Sequence, residues 1–87
     1  MTKINQDINL GENLKRIRTS KGYTQSDVCS KLDLVGRPTL QSTYAQIETG
    51  KRNIFLSDLI ALKRIFNVSY DEFFVGLEPI NKSSKLE

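Results

Sequence analysis

The chain's 87 residues can build one small core with little surplus stability; with no histidine and a single cysteine, Cys29, they carry neither a zinc-ligand set nor an internal disulfide, and they lack the commonest general base. The 10 acidic residues are scattered, apart from Asp71-Glu72, which read as helix-capping charges, so no enzyme, metal or cofactor chemistry is expected. A net charge of +3 and a pI near 9.2 draw the chain mildly towards polyanions, while the lack of any apolar run near ~18–20 residues, or of a signal-peptide stretch in MTKINQDINL, predicts a cytoplasmic protein with no membrane partner; no sensor domain is evident, so no small-molecule partner is expected.

Residues 1–8 read as a polar N-terminal tail, 9–78 as the folded domain and 79–87 as a polar C-terminal tail whose Leu86-Glu87 resembles a tag remnant. The first helix is predicted over residues 9–21, with Leu10, Leu14 and Ile17 at helical spacing and Lys15, Arg16, Arg18 and Lys21 turned outward or sideways. Gly22 ends it as a left-handed cap, and Tyr23 plugs the core from the turn. Thr24-Gln25-Ser26-Asp27 forms a capping box with Asp in place of the usual Glu or Gln. It opens a second helix whose buried stripe is Val28, Leu32 and Val35. This helix is expected to run through Leu34 or Val35 and stop at Gly36, with Arg37-Pro38 preventing its resumption.

The third helix spans residues 40–49, with Thr39 as N-cap and Gly50 as its stop. Its apolar back is Leu40, Tyr44 and Ile47; its front is Ser42, Gln46 and Thr49. Residues 51–55 form a loop, and residues 56–66 a fourth helix buried through Leu59, Leu62, Ile65 and Phe66. Ser69-Tyr70-Asp71-Glu72 has the pattern of a full capping box, opening a fifth helix with Phe73 and Phe74. No β-pattern and no repeat is visible. The expected fold is all-α, a compact bundle of five short helices containing a helix-turn-helix.

The front of the third helix is the unusual feature. A solvated helix face normally carries charges, whereas this one offers amides and hydroxyls, groups able to hydrogen-bond base edges in a DNA major groove. The cations stand beside it: Arg37 on the N-terminal side, Lys51 and Arg52 on the C-terminal side. Neutral readers flanked by phosphate-binding cations are the division of labour of sequence-specific DNA binding. Taken without its flanks, the same face serves equally well as solvated surface.

The flanks carry a resemblance. LKRIRTSKGYTQSDV, TYAQIETGKRN and LIALKRIFNVSYDEFF, in that order, resemble the lambda-repressor-like helix-turn-helix domains, the Cro-type or XRE family of prokaryotic and phage regulators. The resemblance covers about Leu10 to Leu77. It implies double-stranded DNA as partner, with base contacts in the major groove from Gln41, Ser42, Thr43 and Gln46. It implies phosphate contacts from Thr24, Gln25, Lys51, Arg52 and Asn53, Gln25 doing so near a helix N-terminus that attracts anions in any case; Arg37, in a stretch that departs from the family, is placed where it reaches DNA phosphate or a partner. Arg18 and Glu48 correspond to the family's internal ion pair. A repressor acting as a homodimer on an inverted-repeat operator is the implied function; an adaptor using the same fold without DNA binding is the alternative. In one respect the chain departs from the family: LDLVGRPTL lengthens the turn between the second and third helices.

The end of the domain is richer in apolar residues than one small helix can hide. Phe74, Val75, Leu77 and Ile80 are therefore expected to form or border a self-association surface.

Overall fold

The computed structural model describes residues 3–4 and 6–79. Among these, four α-helices surround one core: α1 (Gly11–Ser20), α2 (Gln25–Leu34), α3 (Gln41–Glu48) and α4 (Leu56–Phe66). Two further elements correct the expectation of an all-α bundle of five helices. Residues Tyr70–Phe74 form a short 3-10 helix, and β1 (Lys3–Ile4) pairs antiparallel with β2 (Ile54–Phe55), Lys3 opposite Phe55 and Ile4 opposite Ile54. Two-residue strands are too short for an alternating pattern to appear, and Lys3–Ile4 lies in a segment expected to be a polar tail. No helix among the described residues is long and apolar enough to cross a membrane.

The core draws on every helix. Leu14 and Ile17 of α1, Val28 and Leu32 of α2, Tyr44 of α3 and Leu62 and Phe66 of α4 are fully buried, joined by Ile54 and Phe73. Each of the aliphatic and phenylalanine side chains stabilises the fold by about 1.5–3 kcal/mol through its removal from water. Tyr23 packs from the α1–α2 turn, its ring 6.5 Å from that of Phe66.

The helix ends explain how the chain turns. At α2 the Thr24 hydroxyl accepts from Asp27 N at 3.0 Å while Thr24 N donates to the Asp27 carboxylate at 2.8 Å, a closed capping box. At its other end Gly36 adopts a left-handed φ of 82°. Gly36 N and Arg37 N then donate to the carbonyls of Asp33 and Leu32, at 3.1 and 2.9 Å. This double closure reverses the chain and satisfies carbonyls that a helix end leaves open.

Three local expectations fail. Val35 caps α2 and is exposed rather than part of its buried stripe. Thr39 does not cap α3: its hydroxyl donates to the Arg37 carbonyl at 3.0 Å, and Leu40 takes the N-cap position, 74% exposed instead of lining the apolar back. Ser69 makes no side-chain cap, because the 3-10 turn it opens is too short to present the donors a box requires.

Candidate nucleic-acid interface

The back of α3 is held by a buried polar cluster. Arg18 of α1 donates to Glu48 twice, from Nε at 2.6 Å and from Nη2 at 3.1 Å, and Gln25 Nε2 donates to the same carboxylate at 3.1 Å. Arg18 Nη1 reaches the Tyr23 carbonyl at 2.9 Å, so one guanidinium ties α1, the α1–α2 turn and α3 together. Burial alone would push the Glu48 carboxyl up, but the Arg18 bonds and that from Gln25 outweigh it and hold it below the ordinary carboxylate range. The Tyr44 hydroxyl lies buried beside Glu48 without a hydrogen bond of ordinary geometry among the described residues. Burial first, and then the Glu48 carboxylate, push this phenol far above its ordinary range.

Gly11 sets how close α1 and α3 approach. A Cβ at this position would collide with the carbonyls of Ile47 and Glu48. The neighbouring N-terminal residues complete the junction: Asn9 Oδ1 accepts from Gly11 N at 2.9 Å and Gln6 Oε1 accepts from Leu10 N at 3.0 Å. They supply the caps that a buried Leu10 cannot.

The opposite face of α3 faces solvent. Gln41, Ser42 and Gln46 are exposed and Thr43 is half-buried. Lys51 and Arg52 stand exposed just past the helix. Arg52 Nε donates to Gln46 Oε1 at 2.9 Å. A guanidinium only donates, so this bond turns the Gln46 carbonyl oxygen to Arg52 and leaves the amide N–H groups facing outward.

The loop carrying these cations is pinned by a residue with no sequence signal. Gln6 Nε2 donates to the Ile47 carbonyl at 3.1 Å and to the Arg52 carbonyl at 2.7 Å, and Gln6 N donates to Asn53 Oδ1 at 2.9 Å. A lone Gln in a polar segment gives no sign of these loop partners, which lie far along the chain. Lys3 is similar: β1 brings its Nζ to 5.1 Å above the Phe55 ring. Lys3, Arg37, Thr43, Arg52 and Phe55 border a cleft of about 280 Å³ beside α3.

The expected phosphate residues therefore divide. Lys51 and Arg52 lie at the surface beside the α3 front, and Thr24 is exposed at the α2 N-terminus but engaged in its cap. Gln25 is half-buried and bonded to Glu48, and Asn53 is bonded to Gln6. Arg37 is committed to the scaffold, its Nε donating to Asp58 Oδ1 at 2.6 Å. Of the expected association residues, Phe74 and Val75 are exposed, whereas Leu77 packs against the core. Ile80 lies outside the described residues. An apolar groove of about 260 Å³ lies alongside, lined by Ile4, Ile8, Leu10, Phe74, Leu77 and Pro79 among others.

A family model described as helix-turn-helix matches residues 14–73. No curated protein and no solved structure matches the chain significantly. The match spans α1 to the 3-10 helix, and the chain belongs to the helix-turn-helix family of DNA-binding regulators.

Proposed function

We propose that this helix-turn-helix chain is a cytoplasmic, sequence-specific regulator of transcription, a repressor that inserts α3 into the major groove of double-stranded DNA. The observation that carries this reading is the two-sidedness of α3: a buried back fixed by Arg18 and Glu48, and an exposed, uncharged hydrogen-bonding front of Gln41, Ser42 and Gln46. Thr43 at the edge of that front completes the reading set. Lys51 and Arg52 neutralise phosphates on one side, and the α2 N-terminus with Thr24 and Gln25 receives a phosphate on the other. Asn53 adds a contact from the same loop; Arg37, bonded to Asp58, serves as a support for the connector.

Selection of bound sequences from a random DNA library, followed by salt-titrated binding of the winner and of a scrambled duplex, tests the reading. The expected result is a preferred sequence bound more tightly than the scramble, with affinity for both falling steeply in salt. Equal affinity for the two at every salt concentration would reject sequence-specific reading.

One domain makes few base contacts, so two copies on an inverted repeat are proposed, their α3 helices roughly 34 Å apart. The exposed Phe74 and Val75 beside the apolar groove support this as the contact. Phe74→Ser with Val75→Asp should remove cooperative binding to the full site and leave half-site affinity intact; unchanged cooperativity would move the contact elsewhere.

A further inference from the structure

We propose that Leu40 is a specificity-determining residue, packing its exposed side chain on the 5-methyl group of a thymine in the major groove. This rests on the reading of α3 as the DNA-inserted helix. Among the described residues, three helices carry an apolar residue at the N-cap with no side-chain cap bond: Leu10 before α1, Leu40 before α3 and Phe55 before α4. Ser, Thr, Asp or Asn would stabilise each of these ends. Leu10 is compensated by burial in the core, and Phe55 is half-buried within β2 under the Lys3 ammonium. Leu40 gains neither cap nor burial, being 74% exposed. The adjacent Thr39 hydroxyl, a group of the kind that caps helices, donates to the Arg37 carbonyl instead.

Leu40 is continuous with the reading face. It directly precedes the exposed Gln41 and Ser42, the first two residues of α3. Leu40 and Thr43 border the same cleft as Lys3 and Arg52, and as Arg37 with its ion-pair partner Asp58. The excess of positive charge from Lys3 and Arg52 suits a polyanion and disfavours an apolar protein partner, which would strip water from these two cations without pairing them. Among the groups that base pairs present in the major groove, the thymine C5-methyl is the apolar one. The N-terminal residues of a recognition helix are those that reach base edges, so an apolar residue there meets that methyl.

The test uses the full chain and the operator recovered from a random library, with each thymine replaced in turn by deoxyuridine, which lacks only the methyl. The parent should lose about fourfold in affinity at one thymine per half-site, the value of burying one methyl-sized group. Leu40→Ala should bind the thymine and deoxyuridine operators equally at that position. Leu40→Ser should do the same while melting at a higher temperature, because serine caps α3; a merely structural Leu40 would give a lower melting temperature and retained discrimination. A library that yields no preferred sequence overturns the DNA-reading assignment and this inference together. An operator indifferent to every deoxyuridine replacement, or full discrimination retained by Leu40→Ala, overturns the inference alone. So does a Leu40→Ser variant that alters cooperativity between half-sites while keeping thymine discrimination, which would assign Leu40 to a second copy of the chain.

Discussion

Glu48 and Gln46 stand two residues apart on α3 in opposite surroundings. Glu48 is 4% exposed and receives bonds from Arg18 and Gln25, while Gln46 is exposed and accepts from Arg52. Both are polar residues in an eight-residue helix, yet one orients the helix and the other is oriented upon it. A charge that must not move is buried and over-bonded; an amide proposed to meet a base keeps its N–H groups open. The contrast predicts that substitutions on the two faces separate stability from recognition.

The largest effect is expected at the back. Glu48→Ala or Arg18→Ala leaves a buried partner charge uncompensated, which costs about 3–5 kcal/mol of stability. The Glu48 and Arg18 side chains are 2% and 10% exposed, so solvent screens the loss little. Denaturant titration of both singles and the double measures it. Interaction requires the double to be less destabilised than the sum of the singles. The pH dependence has a definite sign. Glu48's folded carboxyl sits below its ordinary value of 4.5, so its contribution is fully present above that value and is lost as pH falls through the lowered folded one. Glu48→Gln should therefore flatten the acid limb of the stability curve, and an unchanged limb would show that another carboxylate governs it.

Gly11→Ala comes next, because the added methyl meets backbone carbonyls of Ile47 and Glu48 that cannot rotate aside. Overpacking of this kind costs about 1–3 kcal/mol. Thermal melting reads it. If the α1–α3 junction only supports the reading face, the surviving folded fraction keeps its sequence preference; a changed preference would mean that α3 shifts with it.

These two sites mark how far sequence carries. Helical spacing places α1, α2, α3 and α4 to within a residue or two, and the Thr24–Asp27 box and the reversal at Gly36 appear as expected, since each is a local signal with a local cause. The resemblance pairs Arg18 with Glu48, and the two bonds are present. Gly11 gives no such signal: a glycine at a helix start is unremarked unless the opposing carbonyls are known. The Gln6–Arg52, Lys3–Phe55 and Arg37–Asp58 contacts share that difficulty, since the partners are distant in sequence. Leu40 misleads in another way. Its spacing fits the apolar stripe of α3, but it precedes the first helical residue, so helical periodicity does not set its direction.

On the front of α3, Gln46→Ala should leave folding stability within about 0.5 kcal/mol of the parent, as surface changes do. The same variant should lose about 1–3 kcal/mol of specific binding and relax the preference at one base pair, adenine being the base whose N6 and N7 suit an amide. Library selection with the variant is the measurement. A retained preference at every position would leave Gln46 a solvated side chain and collapse the distinction between the two faces.

The smallest effects sharpen the comparison within the front itself. Lys51 and Arg52 are adjacent exposed cations, but only Arg52 bonds the side chain of a proposed reader, the Lys51 contact to Gln46 being backbone to backbone. Lys51→Ala should weaken binding to all sequences alike and reduce the slope of log affinity against log salt by about 0.9, the release of one phosphate's counterions. Arg52→Ala should reduce the slope similarly and also blur the base preference assigned to Gln46. Without the guanidinium, the bond that fixes which end of that amide faces outward is lost, and a flipped amide presents the wrong donor–acceptor order to adenine. Arg52→Lys separates the parts, since an ammonium keeps the charge while losing the fixed fork. It should restore the salt slope before it restores the preference. If Arg52→Ala and Lys51→Ala instead proved indistinguishable in both readouts, the Gln46–Arg52 bond would have no role on DNA, and Arg52 would be a phosphate contact alone.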